Sequence, residues 1–264
     1  MMEIYRDSHD RALTDYPRPS VAVDTAVLTV PPGAPLSVLL VRTGDEWRLP
    51  GTFLHEGERL ADAVLRSLQT KAGVSGLSPR QLHVFDDPAR DNRGWVLSVA
   101  HLDAVPWSRL SIDAALARVV PVTDVGTLPY GHNEILDRAV ATLRSSYASA
   151  PDPLHLLDGA FTLRQLQELH EAVAGEPLMR DTFRRAMEPQ LAATGELAAG
   201  TVGKPARLFG PVGAAPQARL ERIEQVSWLN DETPSCGPND QPACNFVEPA
   251  NDERASHAAT CGAS

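Results

Sequence analysis

The sequence predicts an α/β protein in which a sheet with flanking helices is followed by a smaller, mainly helical domain. Runs rich in apolar and β-branched residues occupy much of residues 20–105, and one stretch with helical spacing interrupts them. A segment of small residues and prolines, ASAPDP at 148–153, then marks a linker. Beyond this linker the apolar residues recur at helical spacing, which indicates a second domain.

The acidic charge of the chain is concentrated at one end. The formal net charge is −10, of which residues 230–264 carry −5, residues 1–150 carry −3 and residues 151–229 carry −2. The 264 residues are enough for one or two domains. Half of the acidity is therefore a property of the tail and says little about the folded part.

The same tail contains all of the cysteines, Cys236, Cys244 and Cys261. Its composition, with few large apolar residues, predicts a disordered acidic segment. Zinc binding by these cysteines and His257 is an alternative, although their spacing is irregular. No apolar run reaches the length of a membrane span, and the N-terminus lacks a signal-peptide core. We expect a cytoplasmic protein that uses no cofactor and does not associate with a membrane.

The first domain is predicted to span residues 20–147, after a polar arm at 1–19. SVAVDTAVLTV and LSVLLVR, separated by the turn cluster PPGAP, predict a β-hairpin. QLHVFDDPARDNRGWVLSVAHLDAV predicts two further strands around a polar loop. A short helical patch is expected at Ile112–Ala117. The apolar positions of HNEILDRAVATLRSSY then follow one face of an amphipathic helix.

Between the hairpin and the later strands lies LPGTFLHEGERLADAVLRSLQTKAGV, residues 49–74, which reads as a strand end, a loop and a helix stopped by Gly73. This stretch resembles the Nudix box, in which a loop and helix place several glutamates around magnesium beside a nucleoside diphosphate. Aligned on Glu58, the match retains four further positions, namely Arg66, Leu68, Gly73 and Val74. The opening glycine is replaced by Thr52. The three helical glutamates are replaced by Ser67, Thr70 and Lys71.

These replacements predict that the box has kept its fold and lost its chemistry. Magnesium requires oxygen ligands, and Lys71 would place an ammonium group where a ligand should be. We therefore expect no catalytic residues, no metal site and no enzyme activity. The alternative is a Nudix hydrolase of ADP-ribose-like nucleoside diphosphate derivatives, whose carboxylates would have to come from Asp86, Asp87 or Asp91.

The second domain is predicted to span residues 154–229. FTLRQLQELHEAVAG predicts a helix with Thr162 as its N-cap, and MRDTFRRAM predicts a short helix with Leu178, Phe183 and Met187 on its inner face. GTVGKPARLFGP reads as a hairpin. A helix, a tight turn, a basic helix and a basic hairpin in this order describe a winged helix-turn-helix. The predicted fold is thus a Nudix-type α/β/α sandwich followed by a small winged helix-turn-helix domain.

Residues 16–212 as a whole resemble the Nudix-related transcriptional regulators of NAD metabolism, the NrtR family. The matching segments are YPRPSVAVD, LPGTFLHEGE, DPARDNRGWVLSVA, HNEIL, FTLRQLQELHEAVAGEPL, FRR and GKPARLF. The resemblance implies a repressor with a sensor domain for ADP-ribose or a related nucleotide effector, and a homodimer on a double-stranded DNA operator. Asp181 and Ala186 interrupt the basic helix, so the operator and the regulated pathway are expected to differ.

Arginines that flank the box are the candidates for effector contacts, because guanidinium groups pair with phosphate oxygens. The predicted ligand-binding residues are Arg42, Arg48, Glu58, Arg90 and Arg93. Trp47 is expected in the core, although it could stack on a base. His55 and His132 are interpreted as structural, since they show no metal spacing.

For DNA, we expect Arg180 and Thr182 to read base edges, because the N-terminal residues of a recognition helix face the groove. The phosphate contacts are assigned to Arg184, Arg185, Lys204 and Arg207. The competing interpretation is a helical hairpin that packs on the first domain and binds no DNA. A further alternative is a plain protein-interaction module, which would have no affinity for DNA.

Overall fold

A seven-stranded sheet is built around strand β1 (Ser20–Thr29) in the computed structural model, which describes residues 5–198 and 205–211. β1 pairs antiparallel with β2 (Ser37–Thr43) and parallel with β6 (Val96–Ala104). Both faces of β1 are buried, which explains its nearly continuous apolar sequence. The strand order is β3-β2-β1-β6-β5, with β4 paired to β1 and β7 paired to β2. The four remaining strands are β3 (Glu46–Arg48), β4 (Gly51–Phe53), β5 (Arg80–Phe85) and β7 (Ala117–Pro121).

One helix covers each face of this sheet. Val23 and Val27 of β1 pack with α1 (Leu60–Ala72), whereas Ala26 and Leu28 pack with α2 (His132–Tyr147). The alternation follows from the two-residue period of a strand. α1 ends at Gly73, whose φ of 69° is the left-handed conformation that a helix C-cap commonly adopts. The predicted α/β/α sandwich is confirmed.

The winged helix also has the predicted helices. α3 (Leu163–Ala174) begins at Thr162, whose side chain accepts a hydrogen bond from the backbone N–H of Gln165 in a capping box. α4 (Arg180–Met187) follows after a short turn. A three-stranded sheet of β8 (Phe161–Thr162), β10 (Arg207–Pro211) and β9 (Leu191–Leu197) completes the domain. Its core is formed by the buried side chains of Phe161, Leu166, Phe183, Met187, Leu191 and Phe209.

Local hydrogen bonds explain two differences from the sequence prediction. The expected helical patch at Ile112–Ala117 is wrong. Asp113 accepts the backbone N–H groups of Ala115, Leu116 and Ala117 in a single turn, and β7 starts at once by pairing with β2. The wing hairpin also begins earlier in the chain than GTVGKPARLFGP, because β10 pairs with β9 at Leu191–Leu197. Lys204 and the tail at 230–264 lie outside the described residues.

The linker between the two domains is packed rather than extended into solvent. Asp152 is buried, and its carboxylate accepts the Tyr147 hydroxyl at 2.5 Å and the N–H groups of Leu156 and Leu157 at 2.9 Å. Leu169 and Val173 of α3 share one hydrophobic core with α2. The described residues all fall within a single compact unit, Met1–Ile223.

The described part of the N-terminal arm contains a 3-10 helix at Leu13–Asp15 and a β-bridge between Arg6 and Ala12. Among the described residues, no helix combines the length and apolar character needed to cross a membrane.

The close approach of β4 to β1 requires a glycine at position 51. Gly51 lies opposite Asp24 in the ladder, and a Cβ added to it would lie 1.9 Å from Asp24 Oδ1. We expect Gly51→Ala to destabilise the protein by about 1–3 kcal/mol, because the Asp24 carboxylate could move away from the new methyl group only by losing its contacts with His132 and Ser98. The urea-unfolding midpoint measures this change.

Gly210→Ala is the matched control, since a Cβ there would meet no described atom within 4 Å and the backbone has no positive φ. Equal urea midpoints for the two variants would contradict the clash that we predict between a Cβ at position 51 and Asp24.

Candidate functional site

A cleft of about 120 Å³ opens between β1, β4, the last turn of α1 and the loops before β6 and α2. This volume is below the roughly 300–1,000 Å³ of typical small-molecule sites, so it holds only part of a nucleotide. Charged side chains from distant parts of the sequence line it, which are Asp24, Arg48, Lys71, Arg90, Asp91 and Arg93. The other polar and aromatic lining includes Thr52, Phe53, Tyr130 and His132.

A buried hydrogen-bond network forms the floor of the cleft. His132 Nδ1 accepts the backbone N–H of Leu49 at 3.0 Å, which leaves the ring proton on Nε2, and Nε2 lies 3.2 Å from Asp24 Oδ1. The Ser98 hydroxyl donates to Asp24 Oδ2 at 2.5 Å. Burial disfavours a charged Asp24. Attraction to His132 and the hydrogen bonds from His132 and Ser98 outweigh that penalty and hold the pKa of the carboxyl below its ordinary value.

Three of the predicted ligand-binding arginines meet around the Tyr130 ring. The Arg93 guanidinium lies 3.8 Å from the ring centre, and the Arg48 guanidinium lies 5.3 Å from it. Arg90 donates to the Tyr130 carbonyl at 2.8 Å, which stabilises this residue in a left-handed conformation with φ of 60°. Arg93 donates two hydrogen bonds to the Asp91 carboxylate, one from Nε at 2.8 Å and one from a terminal nitrogen at 2.6 Å.

One donor in this cluster has no partner among the described residues. Arg48 Nε is buried and makes no hydrogen bond to any of the described residues. An unpaired buried N–H of a guanidinium is costly, and such a group is commonly satisfied by an unseen ligand or water.

The structure does not bring the other two predicted ligand-binding residues into the cleft. Arg42 is exposed beside the β2–β3 turn, where it contacts the Gly44 carbonyl and Asp45. Glu58 pairs with Arg66 through two hydrogen bonds of 2.7 and 2.8 Å. The Arg66 hydrogen bond is the main cause that lowers the pKa of Glu58 to about 2, and the backbone N–H of His55 contributes.

The helical positions that carry glutamates in a Nudix box do not fit magnesium in this chain. Ser67 is buried, and its hydroxyl finds no hydrogen-bond partner within the described ranges. The Thr70 hydroxyl donates to the Arg66 carbonyl at 2.7 Å, and Lys71 Nζ donates to the Gly51 carbonyl. None of these side chains is a carboxylate, which is the usual protein ligand of magnesium.

Sequence reasoning missed several residues of the cleft. The sequence marks Lys71 only as a lost carboxylate, and nothing in it singles out Tyr130. His132 is buried and structural, as expected, but it also lines the cleft. Asp24 offered a detectable signal, because a carboxylate within an apolar strand must find a buried partner. Trp47, in contrast, packs partly buried against the core, and Arg118 lies 4.1 Å from its ring centre.

The second candidate surface is the exposed face of α4. Its predicted DNA-contacting residues, Arg180, Thr182, Arg184 and Arg185, are all exposed, whereas Phe183 and Met187 are buried. Arg184 pairs with Glu188 at 2.7 Å, and Arg185 donates to the Asp181 carbonyl at 3.2 Å. Arg207 is exposed at the start of β10, opposite Leu197. The basic groups therefore occupy one helix and the adjacent wing.

Helix α2 connects the two candidate sites. It begins at His132 in the cleft and ends at Tyr147, whose ring centre lies 5.3 Å from that of His170 on α3. The His170 ring lies 5.0 Å from the buried Phe183 of α4. Burial lowers the pKa of His170, and its Nε2 contacts the Pro151 carbonyl at 2.6 Å. A continuous set of ring contacts thus links the end of α2 to the inner face of α4.

Comparisons with known proteins match this arrangement. A family profile described as the NrtR DNA-binding winged helix domain matches residues 153–210. Shewanella oneidensis NrtR, solved in complex with a 27mer DNA, is 30% identical, with 72% of this chain and 93% of that chain covered and a TM-score of 0.61. The ADPR responsive transcriptional repressor NtrR of Acinetobacter baylyi is 28% identical over 190 residues, which are 66% of this chain and 74% of the relative.

The fold is also that of a MutT/nudix family protein from Enterococcus faecalis, which is 24% identical with a TM-score of 0.60 over 77% of this chain and 90% of that chain. The Nudix-type domain and the winged helix expected from the sequence are therefore both present. Because this chain is 30% identical to the solved Shewanella protein and covers 93% of it, the chain belongs to the NrtR family.

Proposed function

We propose that this protein is a DNA-binding transcriptional repressor whose Nudix-type domain senses ADP-ribose or a related nucleotide. One observation carries the proposal: α2 starts in a basic cleft, and ring contacts lead from its end through His170 of α3 to α4, the helix that we assign to DNA. A ligand that shifts the first turn of α2 changes the packing beneath α4. The name of the Acinetobacter relative, an ADPR responsive repressor, supports the same function.

The chemistry of the cleft suits an anionic nucleotide. Arg48, Arg90 and Arg93 converge there, and guanidinium groups pair with phosphate oxygens in a planar geometry. The unpaired Nε of Arg48 supplies a donor for such an oxygen. The cleft is small, so we assign it to the diphosphate and place the rest of the nucleotide outside it. Arg42 and Glu58 are not part of this assignment.

The regulator itself is proposed not to be an enzyme. Ser67, Thr70 and Lys71 provide no carboxylate in the cleft. The hydrolase alternative needs other acids, yet Asp86 and Asp87 do not line the cleft, and both Asp91 oxygens are hydrogen-bonded to Arg93. Binding without turnover suits a sensor, because the signal persists while the ligand is bound.

On DNA, we place Arg180 and Thr182 at base edges and Arg184, Arg185 and Arg207 at phosphates, together with Lys204. An operator with two half-sites requires two recognition helices, so the acting form is proposed to be a homodimer in the cytoplasm. The helical-hairpin alternative predicts none of these contacts.

We expect that purified protein with magnesium releases no AMP or ribose 5-phosphate from ADP-ribose above the rate without protein. Positioned general bases and metal-bound water each contribute orders of magnitude to such a hydrolysis, and the two carboxylates of the cleft are already bonded to protein groups. Product formation is followed by chromatography. Turnover at about 1 s⁻¹ or faster, the range of ordinary enzymes, would establish the hydrolase instead.

Substitutions on α4 and the wing should weaken DNA binding in two different ways. Arg180→Ala is expected to cost about 1–3 kcal/mol on the operator and little on random DNA, because it removes a base contact. Arg207→Ala is expected to weaken both DNAs and to make the salt slope shallower by about one unit. Both affinities and their salt dependence are measured by gel shifts with the upstream DNA of the gene and with a random duplex of equal length.

The charge-matched control for both is Arg138→Ala, an exposed residue on α2. If Arg180→Ala and Arg207→Ala both bind the operator as tightly as this control does, the second domain does not read DNA.

Loss of the ring contacts should uncouple the two sites without abolishing either. In His170→Leu the contacts to Tyr147 and Phe183 are lost, so we expect ADP-ribose and DNA each to bind as before. The effect of ADP-ribose on DNA affinity, about 5- to 150-fold in typical allosteric proteins, should fall towards onefold. DNA titrations with and without ADP-ribose measure this effect.

The melting temperature shows whether His170→Leu is folded, and His170→Phe provides a variant that retains a ring at this position. If folded His170→Leu shows the full effect of ADP-ribose on DNA affinity, the ring contacts do not couple the two sites.

A further inference from the structure

The last turn of α1 carries a cation at a position where a Nudix hydrolase carries a magnesium-binding glutamate. Lys71 is half-buried and lines the cleft together with Arg48 and Arg93. Its Nζ donates one hydrogen bond, to the Gly51 carbonyl. An ammonium group has three donors, so further donors remain for a ligand.

The two carboxylates of the cleft are already occupied by protein groups. Asp24 is bonded to His132 and Ser98, and Asp91 is bonded to Arg93. Four cationic side chains, Arg48, Lys71, Arg90 and Arg93, line the same cleft, so the described side chains leave a surplus of positive charge. A site of this composition attracts an anion rather than a divalent cation.

The surroundings of Lys71 also favour an anionic partner. Burial and the neighbouring charge of Arg48 are the two largest influences that lower its pKa. Both disfavour the charged ammonium, and a bound phosphate would offset both. Binding of a diphosphate therefore relieves an electrostatic cost that the folded protein otherwise bears.

We propose that the Lys71 ammonium replaces the divalent cation, so that the cleft binds the diphosphate of a nucleotide without metal. This inference rests on the proposed function, since it concerns the same ligand. It assigns Lys71 as a ligand-contacting residue that sets which form of the ligand is bound. A nucleotide free of magnesium, rather than its magnesium complex, is then the species that the protein recognises.

The test is calorimetric titration of the full chain with ADP-ribose, once in EDTA and once in magnesium chloride. We expect the unaltered protein to bind fully in EDTA, and its apparent Kd in magnesium chloride to be equal or higher only by the share of ADP-ribose that magnesium complexes. Lys71→Gln should weaken binding by roughly 10- to 100-fold in both, as expected when a charge-assisted hydrogen bond is lost. Lys71→Arg should retain most of the affinity, because the charge is retained.

Arg59→Gln is the matched control, because it removes one positive charge from the residue that precedes α1, away from the cleft lining.

The outcomes separate the two proposals. If the unaltered protein binds only with magnesium, or if Lys71→Gln binds like Arg59→Gln, the role of Lys71 is wrong and the sensor function stands. If ADP-ribose does not bind in either buffer, the proposed sensor function itself fails.

Discussion

The buried contact between Asp24 and His132 is the interaction on which the rest of the structure depends. Asp24 lies in the central strand, and His132 is the first residue of α2, so their contact joins the sheet to the helix. The same carboxylate requires glycine at position 51 and accepts a hydrogen bond from Ser98 of β6. A buried carboxylate is stable only when its lone pairs are satisfied. This single requirement therefore positions two strands and a helix terminus around the cleft.

The contact between Asp24 and His132 also concerns the far end of α2. A 16-residue α-helix is about 24 Å long, because each residue adds 1.5 Å. The first residue of α2 is held by Asp24, and its last residue contacts Asp152 and His170. The contacts at its two ends connect the cleft to the packing of α3 through one helix. The close packing of α3 against the same core means that movement of α2 repacks the winged helix as well.

Elements whose pattern is local were predictable, and contacts set by pairing between distant segments were not. The stripes of α2 and α3 and the N-cap at Thr162 follow from spacing alone, and all are confirmed. Arg42 and Arg48 looked equivalent in the sequence, yet the β2–β3 hairpin register leaves Arg42 beside the turn and brings Arg48 to the cleft. Likewise, Ile112–Ala117 has helical spacing, but pairing of β7 with β2 limits it to one turn. The role of Asp24 depends on its contact with His132, which lies 108 residues later in the chain.

The box itself shows how a fold and its chemistry can separate. Glu58 and Arg66 pair with each other, and Arg66 also donates to the Phe53 carbonyl, so together they hold the loop against α1. Because the pKa of Glu58 is about 2, this contact remains charged at any physiological pH. These residues maintain the shape of the box. Ser67, Thr70 and Lys71 lie on the next turns of the same helix and contribute no carboxylate. Because Gly51, Glu58, Arg66 and Gly73 hold the shape of the box, the neighbouring positions are free to change from metal binding to direct recognition of an anion.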